Sequence, residues 1–351
     1  MSQEIYQHKK QFKLESGKRL HNLKIAFHTY GKLNPEKDNV IWVCHALTGN
    51  SDVFDWWKGL FGLTDHFNPH EHFIVCANVL GSPYGSTGPQ SGNKLTGQSY
   101  LLDFPQITIR DMVEAHKLLA THLGIVKIDV LIGGSLGGQQ ALEWAVSEPN
   151  RIKNLVILAC NAAQSPWAVA FNESQRLAIE TDRTFFSRDK NGGQKGLKAA
   201  RSIALLSYRT ANCYNRSQFE DDQAKTRDFK AASYQNYQGE KLVKRFDAFS
   251  YHYLTKAMDS HNVGRNRGGV EKALASVSAN VLAIGIQSDL LFPSAEQVFI
   301  AENVASGEFK EIESIYGHDG FLLETRKLSS IIRDFLERNK ANIKQQNLRV
   351  A

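Results

Sequence analysis

Five short runs of apolar residues, each about as long as one β-strand, constrain this chain of 351 residues more than any other feature. They are residues 39–45 (NVIWVCH), 72–78 (HFIVCAN), 127–132 (KIDVLI), 153–159 (KNLVILA) and 280–286 (NVLAIGI). A strand with one wet face alternates polar and apolar side chains. A run without alternation needs cover on both faces, as in the interior of a parallel sheet. Helical periodicity fills the intervals. Residues 109–123 place Met112, Ala115, Leu118, Leu119 and Leu123 on one stripe, and residues 136–148 and 321–337 are amphipathic too. Strand alternating with helix predicts an α/β protein, a mostly parallel sheet with helices on both faces. Residues 5–30 read as short strands joined by a turn at Ser16-Gly17.

The alternation stops between about Gln164 and Ser276. That stretch is helical in character, rich in Lys, Arg, Tyr and Gln, and shows no buried strand. It reads as an insertion, a helical cap (lid) over the sheet. The expected division is a core of residues 1–163 and 277–351 with a cap of 164–276. The polar tail after Asn339 is expected to fray.

Charge and cysteine usage narrow the function. The net charge is +6, from 42 Lys and Arg against 36 Asp and Glu, and the excess is spread along the chain. It suits an anionic small molecule rather than nucleic acid. Cys44, Cys76, Cys160 and Cys213 form no CxxC pair and no Cys/His cluster of metal spacing, so no metal is expected. The start, MSQEIYQHKKQF, has no apolar core of a signal peptide. The longest uncharged stretch, residues 154–172, is broken by Asn161, Gln164 and Pro166 and is too polar to span a bilayer. A cytoplasmic enzyme with no membrane partner is the expectation.

The sharpest motif is Gly133-Gly134-Ser135-Leu136-Gly137-Gly138, between the strand KIDVLI and an amphipathic helix. It is a G-x-S-x-G nucleophile elbow in its strand–turn–helix context, the mark of the α/β-hydrolase fold. The glycines permit a tight turn and close strand–helix approach. Ser135 is then presented at the carboxyl end of the sheet, at a helix N-terminus that favours developing negative charge. In this fold the partners follow in the order acid, then His. Asp289 follows the strand at 280–286, and His318 stands between Gly317 and Asp319-Gly320 after a strand-like stretch. His252 and His261 lie in the cap and follow no strand, which makes them weaker candidates for the base. A second oxyanion donor is needed near the end of an earlier strand. HALTG (45–49) follows the first run directly, so the backbone N–H groups of Leu47 and Leu136 are the candidates.

From about Leu20 to Leu336 the chain resembles the homoserine O-acetyltransferases, acyltransferases on the α/β-hydrolase fold. The resemblance rests on HALTG (45–49), NVLGSPYGSTGPQS (78–91), GGSLGGQQALEWA (133–145), AFNESQR (170–176), GLKAAR (196–201), the long cap motif at 233–265 and GHDGFL (317–322). The chain departs from the family's usual pattern in four places. Leu136 replaces Met, Gly81-Ser82-Pro83-Tyr84 replaces Gly-Gly-Cys, Phe249 replaces Asn and Asn262 replaces Asp. The cap is also slightly short between Arg176 and Arg201.

The resemblance implies ping-pong acyl transfer in methionine biosynthesis. Acetyl-CoA is the co-substrate, L-homoserine the acceptor, and no cofactor is permanently bound. Ser135 carries the acyl group, His318 takes the proton and Asp289 orients the imidazole. Arg201 matches the residue that grips the acceptor carboxylate, Asp319 the one that takes its ammonium, and Tyr208 adds a hydrogen bond. A homodimer through the cap helices is implied as well. The rival readings are a succinyl-CoA-dependent or serine-accepting transferase and a serine esterase with the same triad. Leu47, Leu136 and Leu290 are expected around the acyl group, with no cation beside them. This predicts acetyl over succinyl, because an unpaired buried carboxylate costs several kcal/mol.

Overall fold

The apolar runs lie side by side in the computed structural model, which describes residues 2–350, with side chains described as far as residue 341. The strands are β1 (Glu4–Gln7), β2 (Lys24–Tyr30), β3 (Val40–Cys44), β4 (Phe73–Ala77), β5 (Ile128–Gly134), β6 (Ile152–Leu158), β7 (Asn280–Ile286) and β8 (Gly307–Ile312). They form one sheet in the order β1-β2-β4-β3-β5-β6-β7-β8. The β1–β2 and β2–β4 pairings are antiparallel and every other pairing is parallel. All five residues of β3 are buried, as an unalternating run requires. The edge strand β8 carries Glu308, Lys310 and Glu311, charges that discourage further strand pairing. The N-terminal segment also contributes a small hairpin, Phe12–Lys13 with Arg19–Leu20, turning at Gly17.

Eight helices of ten or more residues complete the frame among the described residues. They are α1 (Ile109–His122) and α2 (Leu136–Ser147), then α3 (Pro166–Glu180), α4 (Gln194–Tyr208), α5 (Lys230–Val243) and α6 (Ala248–Asp259), then α7 (Ser294–Asn303) and α8 (Thr325–Val350). Shorter helical turns lie between them. Alternate residues of β3 separate the two sheet faces. Trp42 packs with Met112 of α1 and Trp144 of α2 on one side, and Ile41 and Val43 join Trp57, Phe321 and Leu328 on the other. Each fully buried large side chain of this kind contributes roughly 1.5–3 kcal/mol. Thr108 and Asp111 close a reciprocal capping box at the start of α1. Helix α8 continues to Val350, past Asn339, where the sequence predicts fraying.

The segment between β6 and β7 holds α3 to α6 and, as its composition predicts, no strand of the sheet. Phe249, where Asn is usual, is fully buried and stacks on Phe185 with ring centroids 4.9 Å apart. Asn262 accepts the Gly264 amide at 2.8 Å, so it supports a turn as a short side chain in a loop does. The returning chain is tied to the core through buried Glu143, paired with Arg110 and Arg267. Among the described residues, no helix is long and apolar enough to cross a membrane. Among the same residues, no group of three His, Cys, Asp or Glu side chains is placed to hold a metal, and all four cysteines are free and buried.

The tightest strand–helix contact is at Gly137. A Cβ there would stand 2.0 Å from the Cys44 carbonyl oxygen and 2.8 Å from its carbon, both fixed backbone. Gly137→Ala is expected to lose about 1–3 kcal/mol or more of unfolding free energy. Gly92→Ala, where a Cβ meets nothing within 4 Å, should change it little. Urea unfolding midpoints of the two variants check the contrast.

Candidate active site

The elbow serine is held in a conformation few side chains adopt. Ser135 has φ 56° and ψ −126°, and its amide donates to Leu158 O at 2.9 Å. Such strain persists only where the surroundings enforce it. Close packing on each side does so: a Cβ at Gly133 would lie 2.4 Å from Gly137 backbone, and one at Gly134 2.5 Å from the Phe321 ring. Ser135 is thereby fixed at the N-terminus of α2, above the carboxyl ends of β3 and β5.

Asp289 and His318 converge on the same end of the sheet. Asp289 follows β7 and is buried. One carboxylate oxygen accepts the Leu291 and Phe292 amides at 2.8 and 3.0 Å, and the other meets His318 Nδ1 at 2.7 Å. Asp289 therefore caps the turn that follows it and contacts the imidazole at once. His318 sits on a single helical turn, Gly317–Asp319, among Phe292, Phe321 and Tyr208. Gly317 has φ +60°. Burial of the imidazole opposes its protonation, but the Asp289 charge and hydrogen bond, helped by Asp319, hold its pKa above the ordinary 6.5. Ser135 and His318 line one cavity without a mutual hydrogen bond, a contact that commonly closes only around substrate.

The oxyanion candidates have a defined support. The Ala46 carbonyl accepts from His45 Nδ1 at 2.8 Å and from the Gly49 amide at 2.9 Å. That carbonyl belongs to the same trans peptide as the Leu47 N–H, which must point the opposite way. The Val79 amide donates to His45 Nε2 at 3.1 Å, so the proton resides on Nδ1. Burial pushes the His45 pKa down to about 4 and keeps the ring neutral. Neither the Leu47 nor the Leu136 N–H is spent on another protein group.

A cavity of about 420 Å³ opens from Ser135 toward the cap and is lined by Leu47, Arg201, Tyr208, His318 and Asp319 among others. The Arg201 guanidinium lies 5.5 Å from the Tyr208 ring centroid, and that ring is 5.5 Å from His318. Tyr208 thus lies between Arg201 and His318, and its hydroxyl bonds to neither. Asp319 is paired with Arg209 at 2.7 Å, a partner the sequence reading missed. No periodicity signals Arg209, which follows α4 directly. Leu136 is fully buried beneath the elbow, whereas Leu290 is 55% exposed and does not line the cavity; its carbonyl accepts from Trp167 Nε1. Lys241 and Arg245 also line the cavity, from the segment between β6 and β7. A cap helix can bring charge to a site from far along the chain, which local inspection of the loops cannot reveal. His252 and His261 lie elsewhere: His252 pairs with Glu180, and His261 bonds Asn161 O with burial pushing its pKa to about 3.

The α/β hydrolase fold model matches residues 39–325. A homoserine O-acetyltransferase of Cyclobacterium marinum is 49% identical over 340 residues, covering 97% of each chain. The crystal structure of homoserine O-acetyltransferase from Bacillus anthracis superposes with a TM-score of 0.87 at 26% identity, covering 95% of this chain and 97% of that one. The crystal structure of esterase E22 matches with a TM-score of 0.85 at 24% identity, covering 95% and 99%, a likeness of fold.

Reading His318 as the general base of an acylation step predicts a pH dependence from its environment. A base must be neutral, so the rate falls as pH drops through its raised pKa. Asp289→Asn removes the attraction and leaves the burial, so the acid limb should move to lower pH. The rate should also fall by orders of magnitude through loss of the correct tautomer. Glu296, which burial pushes up to about 7, titrates in the same range, so Glu296→Gln is the control and should leave the limb in place. Single-turnover acylation rates from pH 5 to 9 measure both.

Proposed function

Because the chain belongs to the homoserine O-acetyltransferase family of the α/β-hydrolase fold, we propose that it moves an acetyl group from acetyl-CoA to the hydroxyl of L-homoserine through an acyl-Ser135 intermediate. The observation that carries the reading is the joining of a His318–Asp289 pair at 2.7 Å and a strained elbow serine in one cavity with Arg201 and Asp319.

Ser135 Oγ attacks the thioester carbonyl as its proton passes to His318 Nε2. The tetrahedral oxyanion is taken by the Leu47 and Leu136 amides, each such donor being worth roughly 2.7–4 kcal/mol. The C–S bond breaks and the thiol leaves with the proton. Homoserine then enters. Arg201 takes its carboxylate as a forked donor, and Asp319, already beside Arg209, takes its ammonium. The homoserine hydroxyl loses its proton to His318 and attacks the acyl-serine, and Ser135 leaves reprotonated. Water competes at this stage. The cap, residues 164–276, limits its access, and the bound acceptor has a large effective molarity. The reading places the enzyme in the cytoplasm, in methionine biosynthesis. It also includes a homodimer through the cap helices, whose Leu177, Leu206 and Tyr237 are exposed.

With acetyl-CoA alone, one acetyl group should appear on the peptide bearing Ser135, and Ser135→Ala should abolish labelling and turnover. Homoserine should stimulate CoA release strongly. Release indifferent to homoserine identifies a hydrolase, and a higher kcat/KM for succinyl-CoA or L-serine reassigns the substrate. Arg201→Ala should cost transfer about 1.5–3 kcal/mol while acyl loading survives. Equal loss of both steps would remove Arg201 from the acceptor site.

A further inference from the structure

The cavity wall supplied by the cap carries positive charge that the protein does not neutralise. Arg245, two residues beyond α5, donates to Thr48 O at 2.5 Å, to the Tyr84 hydroxyl at 2.6 Å and to Thr48 Oγ1 at 3.3 Å. All three acceptors are neutral. Lys241 lies one helical turn earlier, lines the same cavity and is exposed. Among the described residues, no carboxylate stands within ion-pair distance of either. Glu240 is paired with Lys198, and Asp319 with Arg209. Asp55 lines the same cavity and pairs with neither cation. Three hydrogen bonds thus fix a guanidinium in place while its charge stays available. Tyr84, in the loop where the chain departs from its family, supplies one of them.

A protein gains little from immobilising an uncompensated cation unless a ligand brings the anion. Arg201 lines the cavity beside Tyr208 and the base, where the acceptor carboxylate is assigned. Lys241 and Arg245 are solvent-exposed lining residues, which places them toward the mouth. An acyl-CoA donor threads its thioester arm to Ser135 and leaves its diphosphate and 3′-phosphate behind, toward solvent. We infer that Lys241 and Arg245 form the subsite for the phosphate groups of the acyl-CoA donor, separate from the acceptor site of Arg201. The inference rests on the acetyl-CoA reading above and adds the residues that select the nucleotide-bearing donor.

The test compares acetyl-CoA with S-acetylpantetheine, which keeps the thioester arm and lacks every phosphate. For the full-length enzyme with saturating homoserine, kcat/KM should be much higher for acetyl-CoA, and only that preference should shrink as ionic strength rises. Lys241→Gln should raise KM for acetyl-CoA with kcat nearly constant, and Lys241→Gln/Arg245→Gln should cut the acetyl-CoA over S-acetylpantetheine ratio by at least roughly tenfold. The S-acetylpantetheine rate also reports whether the variants fold. Equal loss on both donors would mean that Arg245 acts only by holding Thr48, and the proposal falls. No loss on either donor overturns it as well. A change confined to the succinyl-CoA over acetyl-CoA ratio would make Arg245 an acyl-site cation instead. Wild-type enzyme that transfers from neither donor defeats the acetyltransferase reading itself. Wild type that uses both donors equally well defeats the phosphate subsite alone.

Discussion

Contact between two pieces of backbone, with no side chain between them, sets the position of everything else in this molecule. The first turn of α2 lies against the end of β3 so closely that the Cα of Gly137 faces the Cys44 carbonyl with no space for a methyl group. A helix brought that near cannot be entered by a relaxed turn, so the residue joining β5 to α2 takes the strain, and that residue is Ser135. Because β3 ends at the same contact, the HALTG loop that leaves it must pass over the helix N-terminus. The positions of Ser135 and of both candidate oxyanion amides are therefore consequences of one packing distance.

The site's charges obey a second economy. Buried ions require partners, and Asp289 and His318 each have more than one. Asp289 has two amides and an imidazole. His318 has Asp289 at contact and Asp319 in its neighbourhood. Asp319 has Arg209, whose guanidinium also lies 5.8 Å from the Tyr316 ring centroid. The chain of contacts runs from the core into the cap, since Arg209 follows α4 and Thr210 holds the Ile315 carbonyl. The segment after α4 and the loop that carries His318 are consequently joined by an ion pair and a hydrogen bond.

Much of the architecture was legible because it depends on local rules. Unalternating runs needed two covered faces, and β3 to β7 have them. Glycine spacing around Ser135 specified a close approach, and the approach is there. The order Ser135, Asp289, His318 followed from strand ends, and the structure brings Asp289 and His318 into contact. What stayed hidden depends on distant pairs. Nothing near Asp319 in sequence announces Arg209, and nothing near Thr48 announces Arg245, 197 positions away. Proximity to Asp289 in sequence does not place Leu290 in the cavity: it lies in a bend beyond β7 and is exposed. Phe249 and Asn262 depart from the family's usual residues; one is an aromatic packing partner and the other a turn support.

The insertion of α3 to α6 between β6 and β7 has a consequence for how such a chain can vary. β6 and β7 are hydrogen-bonded neighbours, yet everything from residue 159 to residue 279 lies between them in sequence. The entropy of closing a loop grows only logarithmically with its length, so doubling or halving the insert changes the closure cost by about 0.6 kcal/mol. The sheet is thus nearly indifferent to what is spliced in at that seam. Lineages can rebuild the roof of the chamber almost freely, while the floor that carries Ser135 has no room for even one added methyl group at Gly137.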